Sequence, residues 1–392
     1  MIFEVDRTDP RRTRVVDTPT GRDLADSLAD GQVLLELESF AFTSNNISYA
    51  LAGDMLDYWG FFPTEAPWGR IPVMGIGRIV QSRHPDLAEG VRYFGFFPMS
   101  DHHVVDATPT RSGFADGSPH RNGHAAAYRS FDRIDDDPAY DTSTEGQYLL
   151  VRGLFITSFL IDDFLADTGL SDAATVLVTS ASSKTSIALA HCLSLRSGCR
   201  SVGLTSARNT AFVESLGLYD SVIAYDDLVG LPVEPAVLID MAGNAAVRSA
   251  VHHHYGEQLR HSSQVGATHW EAGSADPTPL PGPTPAFFFA PSQMKKRSDE
   301  WGRSEFDHRV ATALAGFVAD STRWLSVERS TGAGEVEAAY RTVLEGESNP
   351  ATGHVLTLND NPNDNPNDNP NDNPNDNPND NPNDSPKDSE AT

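Results

Sequence analysis

Apolar residues change their spacing near residue 145, and the change divides the chain. Before it, short apolar runs at Gln32–Phe40 (QVLLELESF), Ile71–Val80 (IPVMGIGRIV), Tyr93–Pro98 and His103–Ala107 read as strands, with Gly and Pro between them. Gly75 and Gly77 inside the second run predict a bent strand or a barrel corner. The first ~130 residues are therefore expected to be mostly β. From Gly146 to Asp167 apolar residues recur at helical spacing. Thr175–Thr179 (TVLVT) then reads as a continuous apolar strand of the fully buried kind. Helices over Ser182–Leu195, Thr210–Leu216 and Ala245–Tyr255 alternate with strands over Ser201–Leu204, Ser221–Ala224, Ala236–Asp240 and Ser263–Ala267. Such alternation predicts a parallel sheet with right-handed crossovers. After the Pro-rich stretch Pro277–Pro285, a last strand is expected at Phe287–Ala290 and a helix over Ser304–Ala319. Arg323–Glu328 and His354–Leu358 resemble strands that would return to the first domain.

The C-terminal end stands apart. Residues 359–382 are six copies of Asn-Asp-Asn-Pro, with no apolar residue and a proline at every fourth position. A segment of this composition cannot bury enough surface to offset its ordering entropy, so 359–392 is expected to be a disordered tail. The spaced Asp residues lack the glycine turn and bidentate Glu of a calcium loop. The tail carries −8 of the net charge of −26, which leaves an acidic body. An acidic surface repels phosphate backbones and anionic lipids, so neither nucleic acid nor a membrane is an expected partner. No run of 18 apolar residues is present, and Met1–Arg14 lacks the apolar core and cleavage site of a signal peptide. The two cysteines, Cys192 and Cys199, are too few for a disulfide framework or a four-cysteine zinc site. A cytoplasmic protein is the expectation.

The turn after the first buried strand reads Thr179-Ser180-Ala181-Ser182-Ser183-Lys184-Thr185. A strand, a tight turn and a helix in this order place a helix N-terminus where a pyrophosphate binds, although the usual G-x-G-x-x-G is absent. Ser180, Ser182, Ser183 and Thr185 are small and bring hydroxyl donors, and Lys184 brings a positive charge. Ser182 would also suit as the helix cap, a role compatible with phosphate contact. A Walker A loop would need Gly at Val178 and Ser183, so a P-loop is excluded. The second strand runs into Thr205-Ser206-Ala207-Arg208, with no acid to hold ribose hydroxyls. Ser206 and Arg208 suit a 2′-phosphate, which points to NADPH rather than NADH. No G-x-S-x-G elbow lies at the first turn, which argues against a hydrolase. His252, His253 and His254 are adjacent on a predicted helix and cannot converge on one metal. His102, His103, His120 and His124 are expected on the surface or in loops. Lys295-Lys296-Arg297 reads as a solvated turn, with a place beside cofactor phosphate as the alternative.

The order of these segments resembles the medium-chain dehydrogenase/reductase superfamily on its zinc-free, quinone-oxidoreductase-like side, and more narrowly the DUF2855 group, which shares the SASSKT turn. The resemblance runs over about residues 30–358. Phe42–Gly53 (FTSNNISYALAG), Ile71–Val80 and Gly90–Pro98 carry it in the first half. Ser201–Tyr225, Leu238–Gly243 (LIDMAG), Val265–Trp270 and Tyr340–Leu358 carry it in the second. It implies an α/β protein: a GroES-like β-barrel catalytic domain over 1–140 completed by 305–358, and a Rossmann doubly wound parallel sheet over 141–304. It also implies a homodimer and hydride transfer between NADPH and a small-molecule quinone, enone or other carbonyl. The zinc ligands of other members are missing, since no Cys precedes Cys192 and no Gly-His-Glu occurs. Asn46 matches the Asn that the zinc-free members place beside the nicotinamide. Tyr49 stands where an Asp is usual, and Tyr58 is a further aromatic candidate. Asn45-Asn46 also reads as a simple turn pair. The altered residues keep a second expectation open, a non-catalytic dinucleotide-binding or regulatory protein on the same fold.

Overall fold

The computed structural model describes residues 1–265 and 279–359. The chain opens with a hairpin the apolar pattern does not predict, β1 (Ile2–Asp6) and β2 (Thr13–Val16), followed by a one-turn helix α1 (Gly21–Asp26). The hairpin escapes notice because two of its buried side chains are acids. Glu4 is held by Arg14 at 2.5 Å and Arg70 at 2.9 Å, and Asp6 by Arg12 at 2.8 Å.

Next come β3 (Gln32–Phe42), helix α2 (Ser44–Leu51), the two-residue β4 (Trp68–Gly69) that pairs with β1, β5 (Pro72–Ser82), β6 (Arg92–Pro98), β7 (His102–Pro109), β8 (Gly113–Asp116), α3 (Ala126–Arg129) and β9 (Ser130–Arg133). Strands β3, β5, β6, β9, β8 and β7 are neighbours in that order, and β7 pairs again with β3, closing a six-stranded barrel. Closure removes free edges. The pairing of β3 with β5 shifts register at Leu34/Leu35 and Leu37/Ser39, which supplies the expected bend. Gly77 is glycine for space: a Cβ there would lie 2.8 Å from the Phe97 ring. Inside, Phe114 and Phe131 stack at 4.8 Å.

A long helix, α4 (Glu145–Asp167), leads out of the barrel to a short turn, α5 (Leu170–Ala173). A second sheet follows: β10 (Thr175–Val178), α6 (Lys184–Ser194), β11 (Ser201–Thr205), α7 (Thr210–Leu216), β12 (Ser221–Ala224), β13 (Ala236–Asp240), α8 (Ala245–Tyr255), β14 (Leu259–Gln264) and β15 (Ala286–Phe287). Its order, β12-β11-β10-β13-β14-β15, is parallel throughout and is the doubly wound Rossmann arrangement. α4 fastens the two sheets together. Leu150 and Leu154 pack with Ile76 and Val355 of the barrel side, while Ile161 and Leu165 pack with Val176 and Ile239.

The chain then runs through α9 (Ala290–Trp301), α10 (Arg303–Ser321), β16 (Ser326–Thr331), α11 (Ala333–Leu344) and β17 (Thr352–Thr357). β17 joins β3 antiparallel, with His354 opposite Phe42, and β16 joins β17 in parallel. Four expectations need correction. The strand expected at Arg323–Glu328 runs over Ser326–Thr331, because residues 323–325 still hydrogen-bond back to the end of α10. The expected strand at Ser263–Ala267 starts earlier, at Leu259, and ends at Gln264; residues 266–270 lie outside the described residues. The expected strand at Phe287–Ala290 is Ala286–Phe287, because Pro291 at the first turn starts α9 at Ala290. Lys295-Lys296-Arg297 is helical, not a turn. Arg297 is buried against Asp163 and Asp167 of α4 and Lys296 also pairs with Asp167, so these cations brace a helix contact. The repeat tail from residue 360 lies outside the described residues. No helix among the described residues is long and apolar enough to cross a membrane.

Candidate functional site

In an open parallel sheet, ligands bind beyond the strand C-termini where the order reverses, here between β10 and β13. The β10 turn is built without glycine yet takes a glycine-like path. Ser180 has φ of 51°, a left-handed conformation rare for a residue with a Cβ. Its N–H donates to the Tyr225 hydroxyl at 2.9 Å. Ala181 is fully buried and its N–H donates to the Leu204 carbonyl at 3.0 Å. A Cβ on Gly203 would come within 3.0 Å of the Ala181 methyl, so close approach of turn and β11 is secured from the β11 side.

The helix cap is Ser183 rather than Ser182. Its hydroxyl accepts from the Ser186 N–H at 3.2 Å and donates to the Ser186 hydroxyl at 2.8 Å. Ser182 instead accepts from the Asn209 amide at 3.0 Å, which ties the turn to the end of β11. Because α6 starts at Lys184, the N–H groups of Lys184 and Thr185 have no intrahelical acceptor and form the positive end of the helix. The Lys184 side chain is turned to another use. Its ammonium donates to the carbonyls of Thr352 at 2.7 Å and Pro350 at 3.5 Å, and desolvation lowers it to about 8. Ser206 follows β11 with its side chain uncommitted to a cap, and Arg208 is exposed, touching the Gly346 carbonyl at 3.3 Å.

A network that the sequence reading missed underpins this edge. Asp240, at the end of β13, is fully buried and pairs with Arg248 at 3.0 Å. It accepts from the Thr179 hydroxyl at 2.9 Å and the Gly243 N–H at 3.0 Å. Thr179 in turn accepts from the N–H of Met241 at 2.9 Å. The signal was an acid closing an otherwise apolar strand, AVLID.

On the barrel side, Asn45 and Asn46 are not a turn pair but the first turn of α2. Asn46 completes a capping box with Thr43, accepting from its N–H at 2.8 Å, and donates to the Pro72 carbonyl at 3.0 Å. Asn45 donates to the Tyr49 hydroxyl at 2.7 Å. Tyr49 and Tyr58 are both buried, with ring centroids 4.5 Å apart, and burial pushes both phenols up. Thr43, Asn45, Asn46 and Met74 face Leu149 and Leu150 of α4 across a narrow cleft. His103 and His124, expected on the surface, point inward against Phe62 and Phe61. His252 is buried, His253 bonds Ser249 and His254 the Leu231 carbonyl, so the three diverge. Among the described residues no three His, Cys, Asp or Glu side chains gather to hold a metal ion.

The family model described as "Protein of unknown function (DUF2855)" matches residues 40–349, most of the barrel and all of the parallel sheet. The chain belongs to the DUF2855 family. No curated protein matches it. Several solved structures resemble this one. CurA from Vibrio vulnificus is 14% identical with a TM-score of 0.56, covering 89% of this chain and 93% of its own. The quinone oxidoreductase from Coxiella burnetii is 12% identical at 0.54, covering 91% and 99%. YhdH of E. coli K-12, solved with bound NADPH, is 13% identical at 0.54, covering 92% and 100%. This DUF2855 chain therefore shares the barrel-plus-Rossmann fold of those three structures.

Proposed function

We propose that this chain is an NADPH-dependent, zinc-free oxidoreductase acting on a quinone, enone or other carbonyl compound. The observation that carries the reading is the pairing of a left-handed turn at Ser180 with an exposed, acid-free Ser206–Arg208 segment at the reversal point of the sheet. CurA and YhdH, which share the fold, have been solved with NADPH, and this supports the choice of cofactor.

The residues fit a dinucleotide. The first-turn N–H groups of α6, with Ser180, Ser182, Ser183 and Thr185, would hold pyrophosphate, and Ser206 with Arg208 would hold the 2′-phosphate. Lys184 joins them only by releasing the Thr352 carbonyl. NADPH supplies a hydride when bound. On the barrel side, Tyr49 is the proton donor in this reading. Its oxygen accepts from Asn45, which leaves the phenol proton available, and burial keeps the phenol protonated at neutral pH. Asn46 fixes α2 and so aims Asn45, while Tyr58 backs the Tyr49 ring. The domain limits we propose are 1–140 with 305–358 for the barrel and 141–304 for the Rossmann part. A homodimer is proposed through the β15 edge, where Phe287 is 64% and Phe289 54% exposed.

Fluorescence titration with NADPH and NADH tests the cofactor assignment. NADPH should bind more tightly, and Arg208→Gln should weaken NADPH alone by about tenfold, the low end for a charge-assisted hydrogen bond at an exposed site. Binding of neither, or a preference for NADH, ends the proposal. The reading of a non-catalytic nucleotide binder draws support from Lys184 and Arg208, whose donors rest on carbonyls of the 346–352 segment. Turnover with any quinone, enone or aldehyde removes it.

A further inference from the structure

Both cations placed against the cofactor phosphates already hold oxygen atoms of one short segment. The strap of residues 346–352 leads from the end of α11 into β17. Lys184 donates to its Thr352 carbonyl at 2.7 Å and its Pro350 carbonyl at 3.5 Å, and Arg208 donates to its Gly346 carbonyl at 3.3 Å. Lys184 takes part in no ion pair among the described residues, so carbonyls are what its ammonium has in place of an anion. They are a weak replacement. Desolvation lowers the ammonium to about 8, so the charged form is held less well here than in water. A phosphate oxygen within reach would favour the charged form instead.

The strap is shaped from within. The Asn349 side chain accepts from the Ala351 N–H at 3.0 Å, and the Asn349 carbonyl accepts from the Thr352 N–H at 2.9 Å. That turn brings the Pro350 and Thr352 carbonyls to one ammonium. At the β17 end the chain is locked, since a Cβ on Gly353 would lie 2.3 Å from Leu150 of α4. At the α11 end it is loose: Gly346 has φ of 69° and open space where a Cβ would stand. Between a locked end and a loose one, Lys184 and Arg208 tie the strap to the parallel-sheet half.

We propose that the strap and the cofactor phosphates compete for Lys184 and Arg208, so that binding of the nucleotide frees residues 346–352. The proposal rests on the dinucleotide reading above and adds a conformational cost to it. The affinity measured is the intrinsic one reduced by the fraction of chains whose cations are off the strap. Because Lys184 opens α6 and Thr352 opens β17, the same exchange unfastens a link between the parallel sheet and the barrel.

Amide hydrogen exchange on the full chain, with and without NADPH, reads the strap directly. Exchange at Ala351 and Thr352 should quicken about threefold or more when NADPH binds, the scale of one lost hydrogen bond. Lys184→Met keeps the apolar stem and drops the ammonium. Without any nucleotide it should quicken the same two amides, with its fold checked by circular dichroism. Asn349 is exposed and lies outside the phosphate donors. Asn349→Ala loosens the strap alone and should tighten NADPH about fivefold, because a looser strap gives up the cations more readily. If NADPH binds while the strap amides slow or hold steady, the inference falls and the cofactor reading stands. An Asn349→Ala affinity equal to or weaker than wild type, or unchanged amides in Lys184→Met, has the same result. If NADPH binds neither wild type nor Asn349→Ala, the cofactor reading fails and takes the inference with it.

Discussion

Replacing Ser180 by glycine isolates what the SASSKT turn costs the protein. Ser180 sits at φ of 51°, where contact between a Cβ and the following carbonyl costs an L-residue about 1–2 kcal/mol. Glycine removes that contact but loses about 0.5–1 kcal/mol through its larger freedom in the unfolded chain. The Ser180 N–H bond to Tyr225 is a main-chain bond and survives the change. Ser180→Gly should therefore stabilise the chain by about 0.5–1 kcal/mol, seen as a rise in Tm of about 1–2 °C. Ser180→Val should do the opposite and lose more than about 1 kcal/mol, since a β-branched residue tolerates this backbone least. Urea denaturation of the three proteins side by side gives both differences. A Ser180→Gly protein less stable than wild type, or a Ser180→Val protein equal to it, would refute the account of the turn. NADPH titration of the glycine variant adds a functional check: the Ser180 hydroxyl is placed against the pyrophosphate, so its loss should weaken NADPH binding while the fold gains stability.

Tyr49→Phe should leave the fold intact and lower turnover about 10²–10⁴-fold, the usual scale for losing a general acid, and a turnover within a factor of two of wild type would exclude the role. Asp240→Ala should destabilise by about 2–4 kcal/mol in urea melts, because the half-buried Arg248 and the buried Thr179 hydroxyl both lose their partner; a change under about 1 kcal/mol would deny the network its structural weight. His103 sets an acid limit. Its imidazole falls from 6.5 to about 4 on burial, so the unfolded chain binds the proton first as pH drops. The stability it protects is whole above pH 6.5 and drains away between 6.5 and about 4. Urea midpoints across that window should fall less steeply in His103→Gln than in wild type, and equal slopes would rule the group out.

The centre of the parallel sheet was legible because β10, β11 and β13 are buried along their whole length; Ser221–Ala224 and Ala236–Asp240 came out to the residue, whereas β14, polar in sequence as LRHSSQ, was misplaced. The first hairpin was illegible for the converse reason. Glu4 and Asp6 satisfy their charges inside the fold, and a buried ion pair looks in sequence like a surface. Lys296 and Arg297 misled in the same way, since their partners Asp163 and Asp167 lie some 130 residues back on another helix. The site was half legible. The strand–turn–helix unit and Arg208 follow from local order, whereas the destinations of Lys184 and Asn46 depend on carbonyls that only the folded chain brings near.

The pairing of β17 with β3 also dictates an order of assembly. His354 and Phe42 are about three hundred residues apart in the chain, and closing so long a loop from an unfolded state costs about 5 kcal/mol in chain entropy. Once residues 175–264 have condensed into their own parallel sheet, with α4 already lying along it, the free chain between the two partners is far shorter. The parallel-sheet half thus acts as a clasp that carries the last strand back to the barrel. A substitution that slows the central sheet should delay closure of a barrel it does not touch.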